Sequence, residues 1–241
     1  MKLSSFFTTT LLLSTSLVAF SEETSSSAPK GQFTADVHQD IGPGHGANAT
    51  KWAAPQPVFS EDLSNAIYKP GTWSWVDGVL TSVDKNGSDI WTKETYGDFV
   101  LNLDFRCHEK TNSGVYLRSS DIVKWLHNTI EVQILQGDEA NDKHIVGAIY
   151  DCVAPTQQIE ITPGTWHHYL IIAKGKTIKV SLDGQEVVNM NLNKWTSAHK
   201  NPDGTKNKFN KAYKDMELKG RIGLQYHTNV IEFKNIVVDK I

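Results

Sequence analysis

At 241 residues, with 39% hydrophobic and 10% aromatic side chains, the chain is long enough to bury one full core, and a single domain is the default. Its formal charge of -3 arises from 24 Lys and Arg scattered among 27 Asp and Glu. No basic stripe forms of the kind that nucleic acid requires, so nucleic acid is not an expected partner.

In chain order, residues 1–21 (MKLSSFFTTTLLLSTSLVAFS) begin with Lys2 and pass through an apolar, small-residue run too short to span a bilayer. Small residues at Ala19 and Ser21 complete the pattern of a secretory signal peptide cleaved near Ser21. No Cys follows to carry a lipid, and no later run of 18 apolar residues makes a membrane span. The expectation is an exported protein, periplasmic or secreted, and monomeric. Residues 22–56 are rich in Ser, Thr, Ala, Gly and Pro, without an apolar period, and read as a flexible N-terminal arm. His38 and His45 in that arm have no Cys or carboxylate at ligand spacing and read as solvated loop histidines. Asn48 and Asn86 each head an N-x-S/T acceptor pattern, which matters only in a host that glycosylates.

From residue 57 onward the pattern is β. DFVLNLDFRC, SGVYLRS, TIEVQIL, HHYLIIAKG, KTIKVSLDGQEV, RIGLQYH and VIEFKNIVV are short runs rich in β-branched and aromatic residues, separated by Gly, Asn and Asp. FNKAYKDMELKG reads as a short helix or a loop, and Asp183 and Gly184 mark the tip of a hairpin. Many strands with turns between them predict an all-β fold over 57–241, a two-sheet antiparallel jelly-roll sandwich.

Alternation then sorts the faces. Leu101, Leu103 and Phe105 oppose Asn102, Asp104 and Arg106; Val115 and Leu117 oppose Tyr116 and Arg118. Val132 and Ile134 oppose Glu131 and Gln133; Ile222, Leu224 and Tyr226 oppose Gly223, Gln225 and His227. A solvated outer face would alternate in the same way. This one carries Arg106, Arg118, Gln133, Gln225 and His227, donors suited to sugar hydroxyls, which favours a binding floor. Trp73, Trp75, Trp91 and Trp166 fall at strand ends and read as packing, whereas Trp125, in the loop before the Glu131 strand, reads equally as a hydrophobic cap or as a platform that stacks on a pyranose ring with Tyr116. Cys107 and Cys152 are compatible with one disulfide in an exported protein, with buried free thiols the competing reading. No dense His or Cys cluster points to a metal centre, and a structural calcium ion near GDEAND (137–142) is the one metal the loops would suit.

WTKETYGDFVLNLDFR, NSGVYLRS, IEVQIL, GAIYDCVAP, GTWHHYLIIAKG, LDGQEV, NPDGTKNKF and GRIGLQYHTNVIEFKNI, in this order over about 57–241, resemble the domain-of-unknown-function 1080 family, also called the 3-keto-disaccharide hydrolase domain. The resemblance implies a concanavalin A-like sandwich of the lectin and glucanase type, export in bacteria, and action on glycosides already oxidised at the sugar 3-position. It implies no cofactor in this chain, and a partner in the pathway: a flavin- or nicotinamide-dependent sugar 3-oxidoreductase acting upstream. The chain departs from the family's more frequent pattern around His227, where it has Tyr226 and HTN.

Ordinary retaining glycosidases share this kind of sandwich and need two carboxylates about 5 Å apart, at the first, third and sixth positions of one strand. Here those positions hold Glu131, Gln133 and Gln136, so the pair is missing from that strand, although Asp104 on another strand could serve. A 3-keto sugar needs less, because the carbonyl acidifies the C2 hydrogen and one base can start an elimination. Glu131 or His227 is the expected base, with the other assisting the leaving group. Arg118, Arg106 and Gln225 are expected to hold the C3 oxygen, and Asp104, Asn112, Ser113, Tyr116, Trp125 and Gln133 to bind the carbohydrate ligand. The alternative is a non-catalytic carbohydrate-binding, lectin-like domain on the same face.

Overall fold

A computed structural model describes residues 55–83 and 85–241. The signal peptide expected at 1–21 and nearly all of the arm expected at 22–56 lie outside the described residues. The chain forms thirteen strands among them: β1 (Gln56–Pro57), β2 (Ala66–Ile67), β3 (Trp73–Val76), β4 (Val79–Ser82), β5 (Ile90–Thr92), β6 (Phe99–Cys107), β7 (Asn112–Ser119), β8 (Ile130–Leu135), β9 (Trp166–Lys174), β10 (Thr177–Leu182), β11 (Gln185–Asn191), β12 (Arg221–Leu224) and β13 (Ile231–Lys240). The helical content described is three single turns of 3-10 helix, and FNKAYKDMELKG contributes one of them, Tyr213–Asp215. No helix among the described residues is long and apolar enough to cross a membrane.

The strands divide into two antiparallel sheets. The larger runs β11-β10-β9-β6-β13-β4-β3, with β1 added against β13; the smaller runs β2-β5-β12-β7-β8. Alternation builds the core between them: Leu101, Leu103 and Phe105 face inward from the larger sheet, and Val115, Leu117, Val132, Ile134, Ile222 and Leu224 from the smaller, all fully buried. Each such side chain contributes roughly 1.5–3 kcal/mol by leaving water. The hairpins β3–β4 and β10–β11 turn on Asp77-Gly78 and Asp183-Gly184, all four residues at φ between 49° and 79°, the left-handed pair that a two-residue turn needs.

Cys107 and Cys152 form no disulfide; both are free and buried. Cys107 closes β6 on its inward, apolar parity, and Cys152 is buried in the same apolar core, so each packs as a small hydrophobe. Burial pushes both thiols up to about 12.

Arg118 does not follow the alternation of its strand. Between β7 and β12 the register slips, so that Arg221 pairs with Ser119 but Gly223 with Tyr116, and Arg118 takes φ 51° in the bulge. Gly220 opposes the bulge so closely that a Cβ there would lie 2.3 Å from the Arg118 carbonyl carbon. The guanidinium is fully enclosed and donates to Gly97 O (2.7 Å), Gly175 O (2.7 Å) and Asp98 Oδ1 (2.8 Å), which ties the smaller sheet to the β9–β10 turn of the larger. Arg118 is therefore a brace between the sheets and faces no ligand. Arg118→Met should destabilise the fold by about 1–3 kcal/mol, because it leaves Gly97 O and Gly175 O without their donor, while Asp98, partly exposed, keeps the Gly175 N–H. Arg118→Lys should recover little of that, having no fork to span three acceptors. Urea unfolding measures both, and a loss under about 1 kcal/mol for the Met variant would remove the brace from the account.

Candidate active site

Cross-strand pairing sets out a line of side chains over the outward face of the smaller sheet. Trp91 pairs with Gly223, Gly223 with Tyr116, and Tyr116 with Glu131. Beyond β8 the chain bridges Val132 to Ile149, and the Tyr150 N–H donates to Glu131 O (3.0 Å), which puts Tyr150 opposite Glu131 on its other side. Directly opposed residues share a face. Two residues along each strand, on the same face, stand Asp89, Gln225, Gly114 and Gln133.

Two glycines let the large groups lie flat. A Cβ at Gly223 would come within 2.5 Å of the Trp91 ring, and one at Gly114 within 2.5 Å of Glu131 Oε1. Trp91 accordingly stacks on Tyr116 (4.8 Å between centroids, 6° between planes), and Trp125 leans on the same tyrosine (5.1 Å). Gln225 Nε2 donates to the Tyr116 hydroxyl (2.7 Å), and Gln133 Nε2 to Asn112 Oδ1 (3.1 Å).

The carboxyl of Glu131, in a residue 7% exposed, is pushed up to about 8, chiefly by burial and further by the charge of Asp89; Lys208 and a hydrogen bond with Gln225 pull the other way. Asp89 rises to about 6 through burial, opposed by the Tyr226 N–H (2.9 Å) and by His227. Near neutral pH this pair holds one proton, and Glu131 keeps it. Two carboxyl groups driven apart in this way are a recurrent acid and base arrangement.

The structure brings together Glu131, Tyr116, Gln133, Gln225, Asn112 and Trp125, with His227 exposed at the rim beside Asp89. It separates the others. Ser113 has the inward parity of β7 and donates its hydroxyl to Gln225 O (2.7 Å), so it fixes the β7–β12 edge instead of meeting sugar. Asp104 and Arg106 lie on β6 in the larger sheet, on the opposite outside of the sandwich. There Asp104 pairs with His168 (2.7 Å), and Arg106 grips Glu232 with two bonds (2.6 and 2.8 Å) over the Trp166 ring. Among the described residues no group of three or more His, Cys, Asp or Glu could hold a metal ion, the acidic loop at 137–142 included. Asp89, Trp91, Tyr150 and Lys208 are members of the site that sequence reading missed. For Asp89 and Trp91 the available signal was DIW, an outward-inward-outward alternation only three residues long. A cleft of about 460 Å³ bounded by Val123, Trp125, Leu126 and Asn210 adjoins the aromatic floor, and one of about 550 Å³ opens past the end of β8 at Leu135.

A carboxyl held protonated at pH 7 lowers stability, because the unfolded chain ionises near the ordinary value of 4.5 and the folded chain near 8. The cost is absent below pH 4.5, grows between the two values, and is constant above 8. Glu131→Gln should therefore stabilise the fold by about 1–3 kcal/mol at pH 7 and by little at pH 4. Denaturant titrations at both pH values read the difference directly, and an equal change at pH 4 and 7 would show that Glu131 is not held protonated.

The fold is an antiparallel concanavalin-like sandwich with titratable groups across one outward face. The chain belongs to the family of the 3-keto-alpha-glucoside-1,2-lyase-like domain, whose profile it matches over residues 45–239. It is similar to a candidate glycosyl hydrolase of Parabacteroides distasonis ATCC 8503, with 36% identity over 78% of this chain and 100% of that one and a TM-score of 0.74. A second candidate glycosyl hydrolase of that organism has 18% identity over 75% of this chain and 91% of its own, with a TM-score of 0.62. A Bacillus subtilis protein with a galectin-like fold has 14% identity over 79% and 97%, with a TM-score of 0.51. The last two likenesses are of fold alone. No curated protein matches the chain.

Proposed function

We propose that this protein is an exported enzyme that cleaves the glycosidic bond of 3-keto-glycosides, 3-keto-disaccharides among them, by elimination followed by hydration. The observation that carries the reading is the pair Glu131 and Asp89, one protonated and one ionised near neutrality on a single aromatic-lined face. Membership of a 1,2-lyase-like family supports the same chemistry. Asp89 removes the C2 proton, which the C3 carbonyl has made acidic, and the electron pair moves onto the C3 oxygen. The pair then returns to form a C1–C2 double bond as the C1–O bond breaks, and Glu131 gives the departing oxygen its proton. Water added across the double bond, hydroxyl to C1 and proton to C2, completes a net hydrolysis. His227, at the rim, exchanges protons between Asp89 and solvent. Trp125, backed by the fully buried Tyr116, stacks on the ring, and Asn112, held by Gln133, meets its hydroxyls. The substrate is delivered by a sugar 3-oxidoreductase using a flavin or nicotinamide, and the leader at 1–21 directs export to the periplasm or medium.

Matched disaccharides, with and without oxidation at C3, distinguish the readings when released monosaccharides are followed by mass spectrometry. Cleavage should be confined to the oxidised sugars, with kcat/KM highest between about pH 6 and 8. Glu131→Gln and Asp89→Asn should each lose about 10²–10⁴-fold in kcat. Wild-type turnover by Glu131→Gln would remove it from the chemistry. Cleavage of unoxidised sugars would mark an ordinary glycosidase, and binding without cleavage a lectin-like module using Trp125, which is partly exposed over the buried Tyr116.

A further inference from the structure

The elimination places negative charge on the C3 oxygen, and the two arginines that sequence reading offered for it are elsewhere: Arg118 is buried between the sheets and Arg106 faces out from the larger one. The loop from β11 to β12 supplies another cation. Its stretch NPDGTKNKF (201–209) is held rigid by its own polar side chains. Asn201 and Asn207 are almost entirely buried. Asn201 Oδ1 accepts from Trp195 Nε1 (2.9 Å) and Asn207 Nδ2 (2.9 Å), while its Nδ2 donates to Asp151 O (3.0 Å) and Thr205 Oγ1 (3.1 Å). Asn207 Oδ1 accepts from the Phe209 N–H (3.1 Å), and the Lys208 N–H donates to Asp151 Oδ2 (2.7 Å). Asp151 is itself held by His144 (3.0 Å).

The main chain is thus fixed on both sides of Lys208, whose side chain is exposed and points at the site. Its Nζ lies 2.9 Å from the Tyr150 hydroxyl and 4.3 Å from that ring's centroid. Tyr150 stands opposite Glu131, so the ammonium reaches the same face from the open side of β8. Its charge favours the ionised form of Glu131 and so opposes that carboxyl's rise.

We infer that Lys208 is the cation that stabilises the C3 oxyanion of the bound sugar and that Tyr150 is the residue positioning it; this rests on the 3-keto reading above. An ammonium brought in on a pre-organised loop needs no rearrangement as the charge develops, which is the condition under which such groups contribute most. Asp203, which binds Lys143 and Thr205 at the loop's far end, belongs to the scaffold and not to the site.

Steady-state kinetics on a 3-keto-disaccharide test this with Lys208→Met, Lys208→Ala, Tyr150→Phe and, as a control on the same loop, Lys206→Met. Lys208→Met should lower kcat by about 10²–10³-fold with KM changed only a few-fold. Its alkaline limb should move to higher pH, since the positive charge that restrains Glu131 has gone. Ethylammonium should restore part of the activity of Lys208→Ala. Tyr150→Phe should lose about tenfold, the scale of one modest positioning contact, and Lys206→Met should match the wild type. A wild type active on 3-keto substrates beside a Lys208→Met variant within threefold of it overturns the inference and leaves the function standing. Loss of activity with an unmoved pH limb and no rescue by amine assigns Lys208 a structural role and also overturns it. A wild type inactive on every 3-keto substrate removes the function and the inference together.

Discussion

Glu131 can lie down on its own sheet because position 114 has no side chain to hold it off. Most of the site's chemistry follows from that one vacancy in the pleat. A glutamate on the outward face of an edge strand ordinarily reaches into water and ionises. Here the carboxyl folds back over Gly114, between Tyr116 and Tyr150, and loses most of its solvent. Desolvation disfavours the charged form, and the proton stays on. Gly223 repeats the device for Trp91, whose stacking closes the other side of Tyr116. Keeping Glu131 protonated at pH 7 costs up to about 3 kcal/mol, a sizeable part of the 5–15 kcal/mol that domains of this kind retain. The core and the Arg118 brace offset that cost from positions away from the site.

The two outward faces use their charges differently. On the larger sheet, Asp104 with His168, Arg106 with Glu232, and Lys179 with Glu186 are neutralised in pairs. Such pairs at a surface contribute little to stability and leave no charge available for a ligand. On the smaller sheet, burial raises both Asp89 and Glu131, and the charge of Asp89 raises Glu131 further. Buried carboxyls displaced from their ordinary range mark a functional face more reliably than polarity does.

That contrast explains how far the sequence could be read. A period of two separates inward from outward, and it sorted Leu101, Leu103 and Phe105 from Asp104 and Arg106, and Val132 and Ile134 from Glu131 and Gln133. It does not say to which sheet a strand belongs. Asp104 and Arg106 are outward on the wrong side of the molecule, a matter of strand order that no local pattern records. Arg118 failed for another reason, since a bulge opposite Gly220 adds one residue and inverts the parity of everything beyond it. The β3–β4 hairpin was legible in WVDGVL, which carries the same Asp-Gly turn as LDGQEV. Asp89 was less so, because β5 has only three residues and too few alternations to stand out. Lys208 lies within NPDGTKNKF, but nothing in that stretch indicates that its asparagines turn inward and that Lys208 turns to Tyr150.

The origin of the second carboxyl bears on the reaction. A retaining glycosidase needs its nucleophile and its acid on opposite sides of the scissile bond. In the sandwich version both rise from one strand, whose third and sixth positions here are Gln133 and Gln136. Asp89 arrives instead from the approach to β5, with Gly114 and Gln225 between it and Glu131, so both groups lie on one face of one sheet. That geometry is poor for attack at C1 with departure on the far side. An elimination asks less of the geometry, because one proton leaves C2 and one reaches the oxygen on C1 with no nucleophile in line behind C1. Lys208 enters past Tyr150, beyond the segment that pairs with β8. The proposed elimination divides its base, its acid and its cation among three elements of the fold.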